Sequence, residues 1–147
     1  IIRTGTAPLN REEGENPFLL HEELQDIMGE HVGIIREGAQ LDEGITKLEA
    51  LGEKIAKVRA TASPQFNAGW NEALDLRNML VTGLAVARAA RLRDESRGAH
   101  TRIDFEGEHE EWGKVNIVVK KNDDGTMSVE KVDMVGYSKI SRRGNST

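Results

Sequence analysis

Cysteine is absent from these 147 residues, which removes disulfides, thiolate metal sites, iron–sulfur ligation and cysteine nucleophiles together. Aromatic residues make up only 4% of the chain. A core must therefore rest on Leu, Ile, Val, Met and Ala, the aliphatic material of helical bundles. No apolar run approaches the ~20 residues that span a bilayer, and no charged-then-apolar signal segment opens the chain, so direct membrane insertion is not expected. An excess of basic charge is missing too. With a net charge of −5 and 31% charged residues, the chain lacks the basic face that phosphate binding needs, and nucleic acid is not expected as a partner.

What remains is the balance of a moderately acidic globular chain, of a length usual for one domain. The sequence begins at Ile1 rather than at Met. Its first fifteen residues are polar and carry Gly5, Pro8 and Gly14. They read as a flexible lead-in over 1–15, belonging to a piece of a longer polypeptide.

Asn16-Pro17 is a helix start: Asn can cap, and Pro fits the first helical position, where its missing donor costs nothing. Leu20, Leu24, Ile27, Met28 and His31 then form one stripe of a 3.6-residue period, with a break expected near Gly33 or Gly38. Leu41, Ile45, Leu48, Leu51, Ile55 and Val58 recur in the same way and predict a second helix over residues 40 to 60. Asp42 and Glu43 near its start, and Lys54, Lys57 and Arg59 near its end, complement the helix dipole. A third stripe runs through Ala73, Leu76, Leu80, Leu84 (or Gly83), Ala87 and Ala90. It predicts the longest helix, from about Trp70 or Asn71 to Arg97, closed by Gly98 as a C-terminal cap.

Composition changes after Gly98. Val115 to Lys121 is rich in β-branched residues, Asn122 to Gly125 supplies turn chemistry, and Thr126 to Val132 alternates like a return strand. The expected architecture is mainly α: an up-down-up three-helix bundle of the spectrin-repeat kind over 16–114, a β-hairpin over 115–135, and a flexible tail over 136–147. A two-stranded hairpin is marginal alone in water, so it is expected to pack on the bundle or on a neighbour.

Several tempting chemical readings fail on spacing. His21 has no second His four residues on, so the zinc-protease pattern is not met, and His21 and His31 lie ten residues apart at opposite ends of one helix. His31, on the apolar stripe, reads as a hydrogen-bonded core residue. Glu106 to Glu111 lacks the Asp-x-Asp-x-Asp-Gly spacing of a calcium loop. Ser96 lies near His100, but no nucleophile elbow surrounds it. No Gly-x-Gly-x-x-Gly fingerprint for a dinucleotide occurs anywhere.

The most specific stretch is Arg93-Asp94-Glu95-Ser96-Arg97-Gly98-Ala99-His100-Thr101-Arg102-Ile103-Asp104-Phe105. It resembles the Arg-x-Glu-Ser-Arg-Gly-Ala-His-x-Arg-x-Asp-Tyr run of succinate dehydrogenase and fumarate reductase flavoprotein subunits. Two further stretches resemble the same family in the expected order: Leu24 to Met28 with Val32 to Arg36, and Asn71 to Leu80. Together they cover roughly residues 16 to 114. Two positions depart from the family pattern, Phe105 in place of Tyr, and Val115 where many members have His after Trp-x-Lys. L-aspartate oxidase carries a related Glu-Ser-Arg-Gly-x-His run, and the same domain from that enzyme is the near alternative.

The resemblance implies that the intact protein binds FAD and interconverts succinate and fumarate, passing electrons to an iron–sulfur subunit and on to quinone. It implies a cytoplasmic protein, peripheral at the inner face of the plasma membrane through its partners. It places the catalytic and flavin-binding residues outside this chain, so none is assigned here as catalytic, cofactor-binding or metal-ligating. Independently of the family, planar Arg donors and carboxylates are concentrated within a few residues, a composition suited to bidentate pairing at a polar interface. Arg93, Glu95, Ser96, Arg97, Gly98, His100, Arg102 and Asp104 are therefore the expected interface with the FAD-binding domain or the iron–sulfur subunit. Two rivals make distinct forecasts. A stand-alone helical interaction module needs an apolar groove along the bundle, and a small enzyme needs a pocket at Glu95, Arg97 and His100.

Overall fold

Asn16 and Pro17 start a helix in the computed structural model, which describes residues 5–61 and 63–134. The Asn16 side chain accepts from the Phe18 backbone N–H at 2.9 Å, and Pro17 takes the first position of α1, Pro17–His31. Two further helices follow, α2 over Gly38–Ile55 and α3 over Ala68–Leu92. Asn67 caps α3 by accepting from Trp70 N at 2.9 Å.

Side-chain pairs fix the directions. Lys54 near the end of α2 meets Glu23 in the middle of α1 at 2.7 Å, and Lys47 in the middle of α2 meets His31 at the end of α1 at 2.8 Å, so these two helices run antiparallel. Arg88 and Arg91 of α3 meet Glu49 and Asp42 of α2 at 2.7 and 2.9 Å, again in opposite order. His21 and Glu72 bring the first turns of α1 and α3 together. The bundle is up-down-up, as expected. Its core is the three stripes read from the sequence: Leu20, Leu24 and Ile27 against Leu41, Leu48, Leu51 and Ile55, closed by Ala73, Leu76, Ala87 and Ala90. Each fully buried Leu contributes about 1.5–3 kcal/mol relative to an exposed one. Gly83, not Leu84, is the buried member of the α3 stripe, because the Met28 thioether lies where a side chain would project.

The lead-in is ordered where it is described. Ala7–Asn10 form a 3-10 turn with Pro8 buried, and the Trp70 indole donates to Gly5 O at 2.7 Å. Glu15 pairs with the chain after α2, through Glu15 N to Lys57 O at 3.3 Å and Arg59 N to Glu15 O at 2.9 Å. That pairing explains why α2 stops at Ile55 rather than near residue 60. The N–H groups of Lys57 and Val58 still bond back to Lys54 O and Ile55 O. The carbonyls of Lys57 and Val58, however, accept from Glu15 and Arg11 of the lead-in instead of from another helical turn, and Arg11 also takes the carbonyl of Ala56 at 2.7 Å. Polar composition concealed this order, since the stabilising partners lie more than forty residues away.

α3 ends at Leu92, five residues before the expected Arg97, and Gly98 is not its cap. A side chain from further along the chain closes the helix instead. A two-residue strand between α1 and α2, β1, Ile35–Arg36, pairs in parallel with β2, Thr101–Arg102, which follows α3. A 3-10 turn over Glu110–Lys114 buries Trp112. The hairpin then forms from β3, Val115–Lys121, and β4, Met127–Asp133, antiparallel with Val115 opposite Asp133 and Lys121 opposite Met127. Gly125 takes φ +89° in its turn. Met127 and Val129 lie beside Arg88, Arg91 and Leu92, so the hairpin rests on the last turns of α3. Val135 and the tail over 136–147 lie outside the described residues.

Candidate functional site

An α-helix leaves unsatisfied carbonyls at its end and unsatisfied N–H groups at its start. In this fold the end of α1, the start of α2 and the end of α3 come together. The charged segment after α3 folds back across all three.

Arg102 is the centre of it, with only 1% of its surface exposed. Its Nη1 lies 3.4, 3.3 and 3.1 Å from the carbonyl oxygens of Ala90, Arg91 and Arg93, the open end of α3. This guanidinium takes the part expected of a C-terminal glycine, and α3 stops where it arrives. Nε and Nη2 donate to the two oxygens of Asp104, both at 2.7 Å, a bidentate pair. Asp104 in turn accepts from the backbone N–H of Gly38 at 2.9 Å, the first residue of α2. A cation thus sits at the negative end of α3 and an anion at the positive end of α2, the arrangement helix dipoles favour. The hydrogen bonds from Arg102 hold the Asp104 carboxyl well below the usual carboxylate range, against burial, with the Gly38 N–H assisting.

Arg36 treats the end of α1 similarly. Its Nε donates to Gly33 O at 2.6 Å, and Nη1 donates to His100 Nδ1 at 2.7 Å. Because Nδ1 accepts, the proton of His100 sits on Nε2, which donates to Arg93 O at 3.1 Å. Burial pushes the His100 pKa down, and the charges of Arg36, Arg102 and Arg93 add to this against the bond to Arg93 O. The imidazole is a neutral bridge from the α1 end to the α3 end.

Glu95 has no exposed surface at all. Arg93 donates to its Oε1, Arg97 donates to both oxygens at 2.9 and 3.0 Å, and the His109 backbone N–H donates to Oε2 at 2.9 Å. Burial alone would raise its pKa. The bonds from Arg97, His109 and Arg93 outweigh that and bring it down to about 2. Ser96 Oγ accepts from Arg102 N and donates to Phe105 O, both at 2.8 Å. Arg97 and His100 exchange backbone hydrogen bonds of 2.8 and 3.0 Å across a two-residue turn, in which Gly98 takes φ +59°. A side chain there would meet open space, so the demand on Gly98 is conformational rather than steric.

All eight expected residues therefore lie in one constellation, and most of their polar groups are spent on one another and on helix ends. The sequence reading missed Arg36, Gly38 and Trp112. Arg36 was within reach, as the last residue of the Val32 to Arg36 stretch. Trp112 lies under two cations, with the Arg93 guanidinium 5.1 Å and the Lys131 ammonium 3.6 Å from its ring centre, and it links the constellation to β4.

The remaining candidates separate cleanly. His31 is buried, and Lys47 donates to its Nε2 at 2.8 Å, as a core histidine. Among the described residues no three His, Asp or Glu side chains gather as metal ligands would. Glu95, sealed and paired on both oxygens, does not open into the pocket a small enzyme would need. A shallow apolar groove of about 410 Å³ does run between α1 and α3, lined by Leu24, Met28, Met79, Gly83 and Val86. No helix of the described residues is long and apolar enough to cross a membrane.

A three-helix domain closed by an Arg–carboxylate clasp over its helix ends is the class that fold and site define. Residues 21–144 match the family described as fumarate reductase flavoprotein C-term, and the chain belongs to that family. It is 35% identical over 122 residues to the succinate dehydrogenase flavoprotein subunit of Coxiella burnetii, covering 82% of this chain and 20% of that one. Among solved structures, it matches the Mycobacterium smegmatis Sdh1 complex in the apo form. There the TM-score is 0.82 and the identity 35%, covering 96% of this chain and 26% of that one. The FrdA chain of E. coli quinol fumarate reductase matches with a TM-score of 0.82 and 29% identity, covering 90% of this chain and 23% of that one. The chain thus spans about a fifth to a quarter of the length of these relatives.

Proposed function

We propose that this chain is the non-catalytic helical domain of an FAD-dependent succinate dehydrogenase or fumarate reductase, which braces the FAD-binding domain and helps dock the iron–sulfur subunit. In that reading the parent enzyme interconverts succinate and fumarate and passes electrons through the iron–sulfur subunit to quinone. It works at the cytoplasmic face of the membrane, held there by its partners. The flavin and its chemistry belong to the parent chain. The residues here contribute positioning: Arg93, Glu95, Ser96, Arg97, Gly98, His100, Arg102 and Asp104 set the shape of the surface next to the clasp.

One observation carries this reading. The motif that marks the flavoprotein family is the same segment that ties three helix ends into a single unit, with Arg102 and Glu95 buried and fully partnered. A group meant to react with substrate is left accessible, whereas these groups are consumed in holding the backbone. The test is Arg102→Met in the full-length flavoprotein with its partner subunits. The expected result is poorer assembly and FAD retention at unchanged kcat per bound flavin. A fall in kcat per bound flavin in fully assembled enzyme would overturn the non-catalytic assignment.

A further inference from the structure

Side chains alternate across the short β1–β2 pair. The register sets Ile35 beside Thr101 and Arg36 beside Arg102. Arg36 and Arg102 turn inward to the helix ends, so Ile35 and Thr101 face outward, and Ile103, one residue on, faces outward again. Ile34 adjoins them. The three isoleucines are 66%, 68% and 60% exposed at positions 34, 35 and 103, away from the core that the helical stripes build.

This surface is held firmly from behind. Ile103 N donates to Arg36 O at 2.9 Å and Thr101 N donates to Ile34 O at 3.3 Å, and both arginines are locked by their own bonds. β-branched side chains on a fixed backbone lose little further freedom when covered. Ile35 and Ile103, on the same face of the pair, therefore present apolar side chains on a rigid backing, the kind of surface that commonly marks a contact site.

We infer that Ile35 and Ile103 form the face through which this domain packs on the flavin-binding part of its own polypeptide, and that the charged motif positions this face rather than making the contact. The inference rests on the flavoprotein reading above and adds which atoms carry the docking. Two observations choose the occupant. This chain covers 20% of the length of its Coxiella relative, so the largest neighbour is the remainder of the same polypeptide, permanently tethered. Permanent interfaces are more apolar than those formed by partners that meet and part. The charges beside the face are also already paired: Arg97 with Glu95 and Glu108, Arg102 with Asp104. An ionic docking partner would find them occupied.

Thiol labelling in the full-length, FAD-loaded flavoprotein subunit tests this. Ile35→Cys, Ile103→Cys and, as an exposed apolar control on α3, Val81→Cys are made singly, and N-ethylmaleimide uptake at each site is followed by peptide mass spectrometry. Positions 35 and 103 should label at least about tenfold more slowly than position 81, the protection that local burial confers. Equal rates overturn the inference. Protection that appears only when the iron–sulfur subunit is added assigns the face to that subunit, and overturns it as well. Its failure is separable from failure of the flavoprotein reading. If Arg102→Met still costs FAD retention while positions 35 and 103 label freely, the brace stands and the isoleucine face falls.

Discussion

Arg102 and Asp104 share two parallel hydrogen bonds of 2.7 Å, and between them they terminate one helix and start another. The guanidinium closes the end of α3 and the carboxylate receives the first N–H of α2. An ion pair two residues apart in sequence thus joins helices whose facing ends, Gly38 and Leu92, are far apart in the chain.

Removing the cation should therefore cost much more than a surface pair would. Arg102→Met leaves Asp104 uncompensated and the α3 carbonyls open, and should destabilise the protein by about 3 kcal/mol, the usual loss on breaking a buried pair. Arg102→Lys keeps the charge but not the bidentate fork, and should recover only part of it. Urea unfolding midpoints of the three proteins check this. Equal midpoints for wild type and Arg102→Lys would show that the fork geometry contributes nothing.

Glu95 predicts an acid-dependent stability. Its folded pKa of about 2 lies below the ordinary 4.5, so the unfolded chain binds the proton first as pH falls. The stabilisation is complete above about pH 4.5 and is lost progressively toward pH 2. Glu95→Gln removes this dependence. The gap in melting temperature between wild type and Glu95→Gln should be widest near neutral pH and should shrink steadily between about pH 4.5 and about pH 2.5.

His100 acts in the same direction in a higher window. Its folded pKa is lowered from 6.5, so protonation disfavours the fold. Its contribution is full above about pH 6.5 and declines as pH falls below that value. Nitrogen-15 NMR at about pH 7.5 should find Nε2 protonated and Nδ1 bare. A proton on Nδ1 would contradict the bond from Arg36.

Two glycines in helices should respond with opposite signs. A Cβ on Gly44 would sit 2.6 Å from the Cβ of His31, so Gly44→Ala should overpack the α1–α2 contact and cost about 1–3 kcal/mol. Gly29, exposed on α1, has open space around it, and Gly29→Ala should stabilise by about 0.5–1 kcal/mol through helix propensity. Thermal unfolding of the pair decides both.

Much of the fold was legible because it rests on local periodicity. Leu20, Leu24 and Ile27, then Leu41, Leu48 and Leu51, recur at the spacing of one helical face, and burial of that face is dictated wherever such helices can pair. Asn16-Pro17 marks a start through a short-range hydrogen bond that sequence alone specifies, whereas the cap at Asn67 and the start at Ala68 lie a little before the expected Trp70 or Asn71. Asp124-Gly125 announces the hairpin turn in the same local way. The segment 93–105 could also be singled out, by its density of forked donors and carboxylates.

What those charges do was a matter for the tertiary structure alone. Nothing local says that Arg102 reaches back to Ala90 and Arg93, or that Asp104 caps a helix beginning at Gly38. Helix propensity ran on to Arg97 because it counts only neighbours in sequence, whereas a guanidinium arriving from ten residues downstream ends α3 at Leu92. The order in residues 5 to 15 has the same origin, since Arg11 and Glu15 find their partners beyond Ile55. Sequence determined which faces are apolar and where helices begin. The packing of three helix ends into one place decided where they stop, which charges are buried, and which isoleucines are left facing outward.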